Sequence, residues 1–149
     1  MSKEFDLVVI GGGSGGYAAA KTAIGHGLKV AVVEGADELG GLCILRGCMP
    51  TKALLETSNR LRAIREAAEF GIHVAEPSLD LEALRNRKTK LIDGFKEYRV
   101  KGLEKGDFEL IRGNATFTSP HTIEVEGHGE VSAKAFIIAT GSDERVPPV

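Results

Sequence analysis

The chain has 149 residues, 42% hydrophobic and 27% charged, with a formal net charge of −2. That length suits one domain or a piece of a larger one, and the composition is ordinary for a soluble globular protein. The small net charge gives no reason to expect nucleic acid or an anionic membrane as partner, and no apolar run approaches the roughly 20 residues of a membrane span.

The N-terminus, MSKEFDLVVIGGG, reads as a polar lead into a strand and not as a signal peptide, so the expected location is the cytoplasm. Residues 5–10, FDLVVI, form a short apolar run rich in β-branched side chains, as a strand buried on both faces should. A glycine cluster follows, and then a helical stretch from Tyr17. Gly11, Gly13 and Gly16 meet the G-x-G-x-x-G spacing between a predicted strand and a predicted helix, the context that gives this pattern weight. Gly11 serves a tight turn, Gly13 lets a pyrophosphate approach the backbone, and Gly16 lets helix and strand pack closely. The helix N-terminus, with Ser14 and Gly15 in its first turn, offers free N–H groups to phosphates.

The helix is expected to stop near Gly25 to Gly27, and residues 28–33 read as a second parallel strand. Glu34 ends it, 18 residues after Gly16, close to the position of a ribose-binding acid. A carboxylate there accepts hydrogen bonds from ribose hydroxyls and repels a 2′-phosphate. The plain alternative is a glycine-rich turn beside a surface glutamate. The pattern as a whole points to a unit that binds an adenine dinucleotide.

Residues 40–52, GGLCILRGCMPTK, hold both cysteines of the protein, Cys43 and Cys48. In a reducing compartment a structural disulfide is not expected, so the pair suggests redox chemistry or a metal site, or two unrelated thiols. Zinc normally takes four ligands in two clusters, and no second cluster exists here.

A helix is expected from Pro50 to about Phe70, closed by Gly71, and another over residues 79–103. The second places Leu81, Leu84, Leu91, Phe95 and Leu103 on one buried stripe, with residues 85–90, RNRKTK, on a solvated face. Beyond Gly106 the period changes to two. Residues 108–111, 115–118, 122–125 and 130–133 read as short strands of an antiparallel excursion, followed by a parallel strand over residues 135–139. Three parallel strands are thus expected: residues 5–10, 28–33 and 135–139. The four histidines sit in turns or strand margins and receive no role.

The glycine pattern, the acid after the second strand and GGLCILRGCMPTK together resemble the pyridine nucleotide–disulfide oxidoreductases, the flavoprotein group of dihydrolipoamide dehydrogenase, mercuric reductase and glutathione reductase. The family pattern around the redox disulfide is close to G-G-T-C-x-N-x-G-C-x-P-S-K, and Cys43, Gly47, Cys48, Pro50 and Lys52 fall on it. Leu42 departs from it where threonine is usual, removing a hydroxyl that could face the pyrophosphate; Leu45-Arg46 departs where asparagine and an apolar residue are common.

The resemblance implies a Rossmann-type three-layer FAD/NAD(P)-binding α/β domain, with a parallel sheet, flanking helices and a small antiparallel β-meander. FAD would lie in the first dinucleotide site, beside Gly41 and Leu42, with Lys52 near its ring. Cys48 would be the thiol nearer the flavin, and Cys43 the interchange thiol that attacks an external disulfide. Ala115, in a segment matching the family's G-x-A-x-F, would meet adenine through its backbone, and Ala139, Thr140 and Gly141 would turn close to the cofactor.

A Cys43–Cys48 disulfide would need a distorted turn, because residues five apart on an ideal helix lie roughly 8–9 Å apart. Gly47 and Pro50 are expected to allow it. With Cys48 at a helix N-terminus, the lower thiol pKa is expected there, and Cys43 is expected to be the more exposed thiol.

The resemblance also implies that residues 1–149 are the N-terminal part of the FAD-binding domain, truncated before an NAD(P)-binding domain and a C-terminal dimerisation domain, with Arg145 to Val149 leading toward the former. The full-length protein would be a homodimer passing electrons from NAD(P)H or a dithiol through FAD to the disulfide. The chain alone is expected to lack full turnover. Two alternatives stand beside this: a non-catalytic FAD- or ADP-binding module, and a small dithiol protein with a vacant dinucleotide fold.

Overall fold

The computed structural model of the protein describes residues 3–142 and 146–148; Arg145 and Val149 of the segment expected to lead onward lie outside the described residues. Strand β1 (Lys3–Ile10) feeds helix α1 (Ser14–Gly25) and then strand β2 (Val30–Glu34). A short helix α2 (Leu42–Leu45), a long helix α3 (Cys48–Glu66) and a 3₁₀ turn (Ala67–Phe70) follow. Helix α4 (Leu81–Glu104) leads to β3 (Glu109–Arg112), β4 (Ala115–Ser119), β5 (Thr122–Val125) and β6 (Gly129–Ile138).

The six strands make one sheet in the order β3-β2-β1-β6-β5-β4. β1 is parallel to β2 from Leu7↔Val30 to Ile10↔Val33, and parallel to β6 from Lys3↔Val131 to Ile10↔Ile138. Two strand expectations are corrected. β3 is a fourth parallel strand, paired with β2 through Ala31↔Glu109 to Glu34↔Arg112, and not part of the antiparallel excursion. β6 is one continuous strand, whose first residues pair antiparallel with β5 while residues 131–138 run parallel to β1. Alternation in a sequence marks a strand but does not name its neighbour, which explains both differences.

The strand order forces the sheet to curl. β3 and β4 occupy opposite ends of the order, yet only Gly113 and Asn114 separate them in the chain. Six flat strands would put those edges about 24 Å apart, whereas two intervening residues span about 11 Å at most. The antiparallel end therefore folds back over one face of the parallel end. The core divides accordingly. Phe5, Val8, Ala31 and Val33 from the parallel strands pack with Ile123, Val125 and Val131 from the antiparallel ones, with no helix in the cluster. On the other face Leu7, Val9, Val30 and Val32 pack under Ala20 and Ala23 of α1 and Leu103 of α4. The result is the expected three layers, with both sheet layers belonging to one curled sheet.

Helix α4 starts at Leu81 because Asp80 caps it, its Oδ1 accepting the N–H groups of Glu82 and Ala83 at 2.9 Å. The buried stripe expected along α4 is not observed. Leu103 is fully buried, but Leu81 is 56% exposed, Phe95 42% and Leu91 37%. Only the C-terminal end of α4 reaches the sheet; the rest packs beside α2 and α3. Among the described residues, no helix is long and apolar enough to cross a membrane.

Candidate functional site

The glycine loop sits where β1 turns into α1, and two of its glycines are required by backbone geometry. Gly11 has φ +104°, and a Cβ there would fall onto the carbonyl of Ala139. A Cβ on Gly16 would overlap the carbonyl oxygen of Gly11. Gly13 differs: its Cβ would meet nothing closer than Gly41 Cα at 3.8 Å, so a side chain there would stand in open space. Gly41 closes the other side of this approach with φ +77°, and its own Cβ would lie 2.6 Å from Gly13 Cα.

That open space is a groove of about 920 Å³ at the carboxyl ends of β1, β2 and β6. Gly11, Gly13, Glu34, Gly41, Leu42, Ala115, Ala139, Thr140 and Gly141 all line it. The carboxyl end of a parallel sheet, where successive connections leave a strand in opposite directions, is where α/β folds receive ligands. Four of the residues expected at the cofactor lie outside the groove. Gly16 is buried beneath the loop, Gly15 is exposed on α1, Lys52 is exposed on α3, and Ser14 lines a second cavity. The groove also takes in Glu38, Leu45, Arg46 and Asn114, which sequence reasoning missed. No local pattern marks them. They come together only because α2 and the β3–β4 connection meet at the strand ends.

Glu34 already has backbone partners. Its Oε2 accepts the Gly12 N–H at 2.7 Å and its Oε1 the Ala36 N–H at 2.9 Å. The carboxylate thus ties the loop after β1 to the end of β2, and two lone-pair directions remain for a ligand. α1 begins without a side-chain cap, and its first intrahelical bond runs from Tyr17 N–H to the Gly13 carbonyl. The N–H groups of its first turn therefore have no intrahelical acceptor.

The two cysteines straddle the break between two helices. α2 ends at Leu45, and α3 starts at Cys48 with Gly47 as its N-cap, at φ −112° and ψ −104°. The distortion expected between the cysteines is carried by Arg46 and Gly47. Pro50 lies inside the first turn of α3, where a missing N–H costs nothing. Both thiols are free. The pKa expectation is reversed: a hydrogen bond between the thiols, then burial, then the like charge of Cys43 push the Cys48 thiol above its ordinary value. Its own backbone N–H and Lys52 act the other way and are outweighed. Exposure is reversed as well, with Cys48 exposed and Cys43 half-buried.

Cys43 opens onto the second cavity, of about 880 Å³, which is separate from the groove although Leu42 and Cys43 are neighbours in the chain. Ile44, Met49, Leu91 and Phe95 give it apolar walls, and Arg87, Lys90 and Arg99 bring positive charge. Arg87 and Lys90 belong to the stretch expected to be only a solvated face. Their spacing with Leu91, Gly94 and Tyr98 puts them on one side of α4, a legible signal. What lay opposite that side was not legible.

The sequence pattern of a family described as pyridine nucleotide-disulphide oxidoreductase matches residues 5–149. Over 99% of its length the chain is 40% identical to the dihydrolipoyl dehydrogenase of Bacillus subtilis, of which it covers 34%. It is 46% identical over 95% of its length to that of Thermus scotoductus, covering 30%, and 39% identical over 98% to the glutathione reductase of Burkholderia cepacia, covering 32%. The HOCl-induced flavoprotein disulfide reductase RclA of Escherichia coli superposes on 97% of the chain with a TM-score of 0.76 at 27% identity, and 30% of that structure is covered. The chain spans about a third of the length of the curated relatives it matches. A match over nearly the whole chain, on a fold whose glycine loop lines a groove at the strand ends, assigns it to the pyridine nucleotide-disulphide oxidoreductase family.

Proposed function

We propose that this chain is the FAD-binding portion of a flavoprotein disulfide oxidoreductase, with the Cys43–Cys48 pair as its redox disulfide. The observation that carries the reading is the placement of Leu42 and Cys43. One lines the dinucleotide-sized groove and its neighbour lines a separate cavity, so a cofactor and a disulfide substrate could meet the same short segment from opposite sides. The groove fits FAD by its own features: open space above Gly13, free N–H groups at the α1 terminus, and Glu34 with lone pairs to spare. Gly11, Gly13 and the first turn of α1 would hold the pyrophosphate, Glu34 the ribose, and the Ala115 backbone the adenine. When bound, FAD supplies the two-electron exchange that returns the disulfide to the dithiol.

The thiols divide the remaining work. Cys43, as thiolate, attacks one sulfur of the substrate disulfide, forming a mixed disulfide and expelling a substrate thiolate. Cys48 gives its proton to that leaving thiolate and attacks the Cys43 sulfur, which releases the second substrate thiolate and closes the Cys43–Cys48 bond. The dithiol loses two electrons and the substrate gains them. The upward push that Cys43 gives the Cys48 thiol suits this order, since it favours the protonated form of the resolving thiol. In the complete protein, NAD(P)H would bind in a further domain and the active unit would be a cytoplasmic homodimer.

Gly13→Val tests the cofactor assignment. The backbone tolerates a side chain there, so secondary structure should survive while calorimetric binding of FAD or ADP is lost. Undiminished affinity in the variant would remove the groove as the dinucleotide site. Flavin binding with cysteines inert to mild oxidation would favour a non-catalytic module instead.

A further inference from the structure

Among the described residues, three charged side chains line the strand-end groove: Glu34, Glu38 and Arg46. Glu34 is tied to the N–H groups of Gly12 and Ala36. Glu38 belongs chiefly to Lys96, which lies outside the groove wall and donates to its Oε1 at 2.6 Å. That hydrogen bond is the main reason the Glu38 carboxyl is held below its ordinary value, and Arg46 contributes less. Arg46 Nη2 stands 3.6 Å from Glu38 Oε2, too far for a hydrogen bond. Its side chain is 71% exposed, so a pair at that distance holds it weakly. The segment that carries Arg46 starts beside the open space above Gly13. Helix α2 is about one turn long and follows Gly41, whose backbone stands against Gly13. Arg46 ends that turn, about 6 Å along the axis from Leu42. Leu42 lines the groove with an alkyl side chain that cannot hydrogen-bond an anion.

We propose that Arg46 is the counter-ion of the dinucleotide's pyrophosphate, free to meet it because Lys96 keeps Glu38 occupied. This rests on the dinucleotide reading of the groove given above. A guanidinium presents a planar fork of donors that matches phosphate oxygens. Glu38, Lys96 and Arg46 together carry a net positive charge, and an anion in the groove balances it. Lys96 acts as a positioning residue: without it, the whole charge of Glu38 would turn to Arg46 and compete with the ligand.

The test measures the affinity of the chain for ADP and for adenosine, which lacks phosphate, by NMR shift titration. Arg46→Gln is expected to weaken ADP by about fivefold to tenfold, the worth of one exposed charged hydrogen bond, and to leave adenosine unchanged. Arg46→Lys should restore part of the loss. The remaining ADP affinity of Arg46→Gln should also fall less steeply with added salt than that of the wild type. Lys96→Gln should weaken ADP by roughly twofold to threefold, and Glu38→Gln should strengthen it by a similar factor. In the Glu38→Gln background, Lys96→Gln should change nothing, because no carboxylate is left to compete for Arg46. If Arg46 served only to tether α2 to Glu38, Arg46→Gln and Glu38→Gln would act in the same direction, and that result overturns the proposal. ADP affinity unmoved by Arg46→Gln but abolished by Gly13→Val overturns the role of Arg46 and leaves the dinucleotide groove standing. No binding of ADP by the wild-type chain overturns both.

Discussion

Helices α1 and α4 both touch the sheet, and they do so in different ways. α1 lies on it along its length through Gly16, Ala20 and Ala23, all buried. α4 is twice as long and buries one residue, Leu103; its partner α3 buries only Ala53. Beneath α1, Val9 and Val32 have no exposed surface, while Leu55, Leu81 and Tyr98 on the helical pair are more than half exposed. The β1–α1–β2 unit makes its own core with small residues on the helix and β-branched ones on the strands. The α3–α4 pair is instead an arm, anchored at one end, whose apolar and cationic side chains surround Cys43. Close packing builds the groove, and sparse packing builds the cavity.

Glycine substitutions give the sharpest contrast between the two regions. Gly16→Ala would press a methyl group into the Gly11 carbonyl, and neither the strand nor the loop can move without breaking the sheet; a loss of roughly 3 kcal/mol or more is expected. Gly94→Ala, in the middle of α4 with nothing within 4 Å of the new methyl, should stabilise by about 0.5–1 kcal/mol. Urea midpoints read both. If the two variants shift in the same direction, the division between packed unit and open arm is wrong.

Leucine truncation repeats the comparison along a single helix. Leu103→Ala removes a fully buried side chain that packs with Val9 and Phe108, and should cost about 2–5 kcal/mol. Leu91→Ala, three turns earlier and 37% exposed, should cost less than about 1 kcal/mol. Equal losses would mean that α4 is covered along its whole length in solution.

Much of the packed unit was legible in the sequence and little of the arm was. Strand, glycine loop, helix and acid lie within residues 5–34, and the required geometry of Gly11 and Gly16 follows from their spacing. Long-range pairing was not local information: residues 108–111 alternate like any strand, and nothing in them says that β2 is the neighbour. The curl of the sheet appears only once strand order and the two-residue β3–β4 connection are known together. The α4 stripe misled for a related reason. Its periodicity was real, but periodicity shows which side of a helix is apolar and not whether anything covers it. Arg99 carried no sequence signal, since its place in the cavity wall depends on Tyr17 stacking from α1.

The smallest expected effect concerns the thiols, where two physical influences oppose each other. Cys48 is the first residue of α3, so the helix terminus favours its thiolate, and Lys52 one turn on adds to that. The hydrogen bond to Cys43 favours the protonated form and is the largest influence. Two thiols in contact cannot both ionise at ordinary cost, so the pair loses its protons in separate steps. With the Cys48 value raised in the folded chain, the native state binds this proton more tightly than the unfolded state does. Its contribution to stability is therefore complete below the ordinary thiol range and disappears as pH rises through the folded value. Mass-mapped alkylation with iodoacetamide across pH should find Cys48 half-reactive above the midpoint of a free cysteine. Cys43→Ala removes the hydrogen bond and the like charge together, and the Cys48 curve should move to lower pH. Lys52→Gln should move it slightly higher. A wild-type Cys48 that titrates below a free cysteine would show that the helix terminus prevails over the influence of Cys43. An unchanged curve in Cys43→Ala would show that Cys43 is not the cause of the raised value.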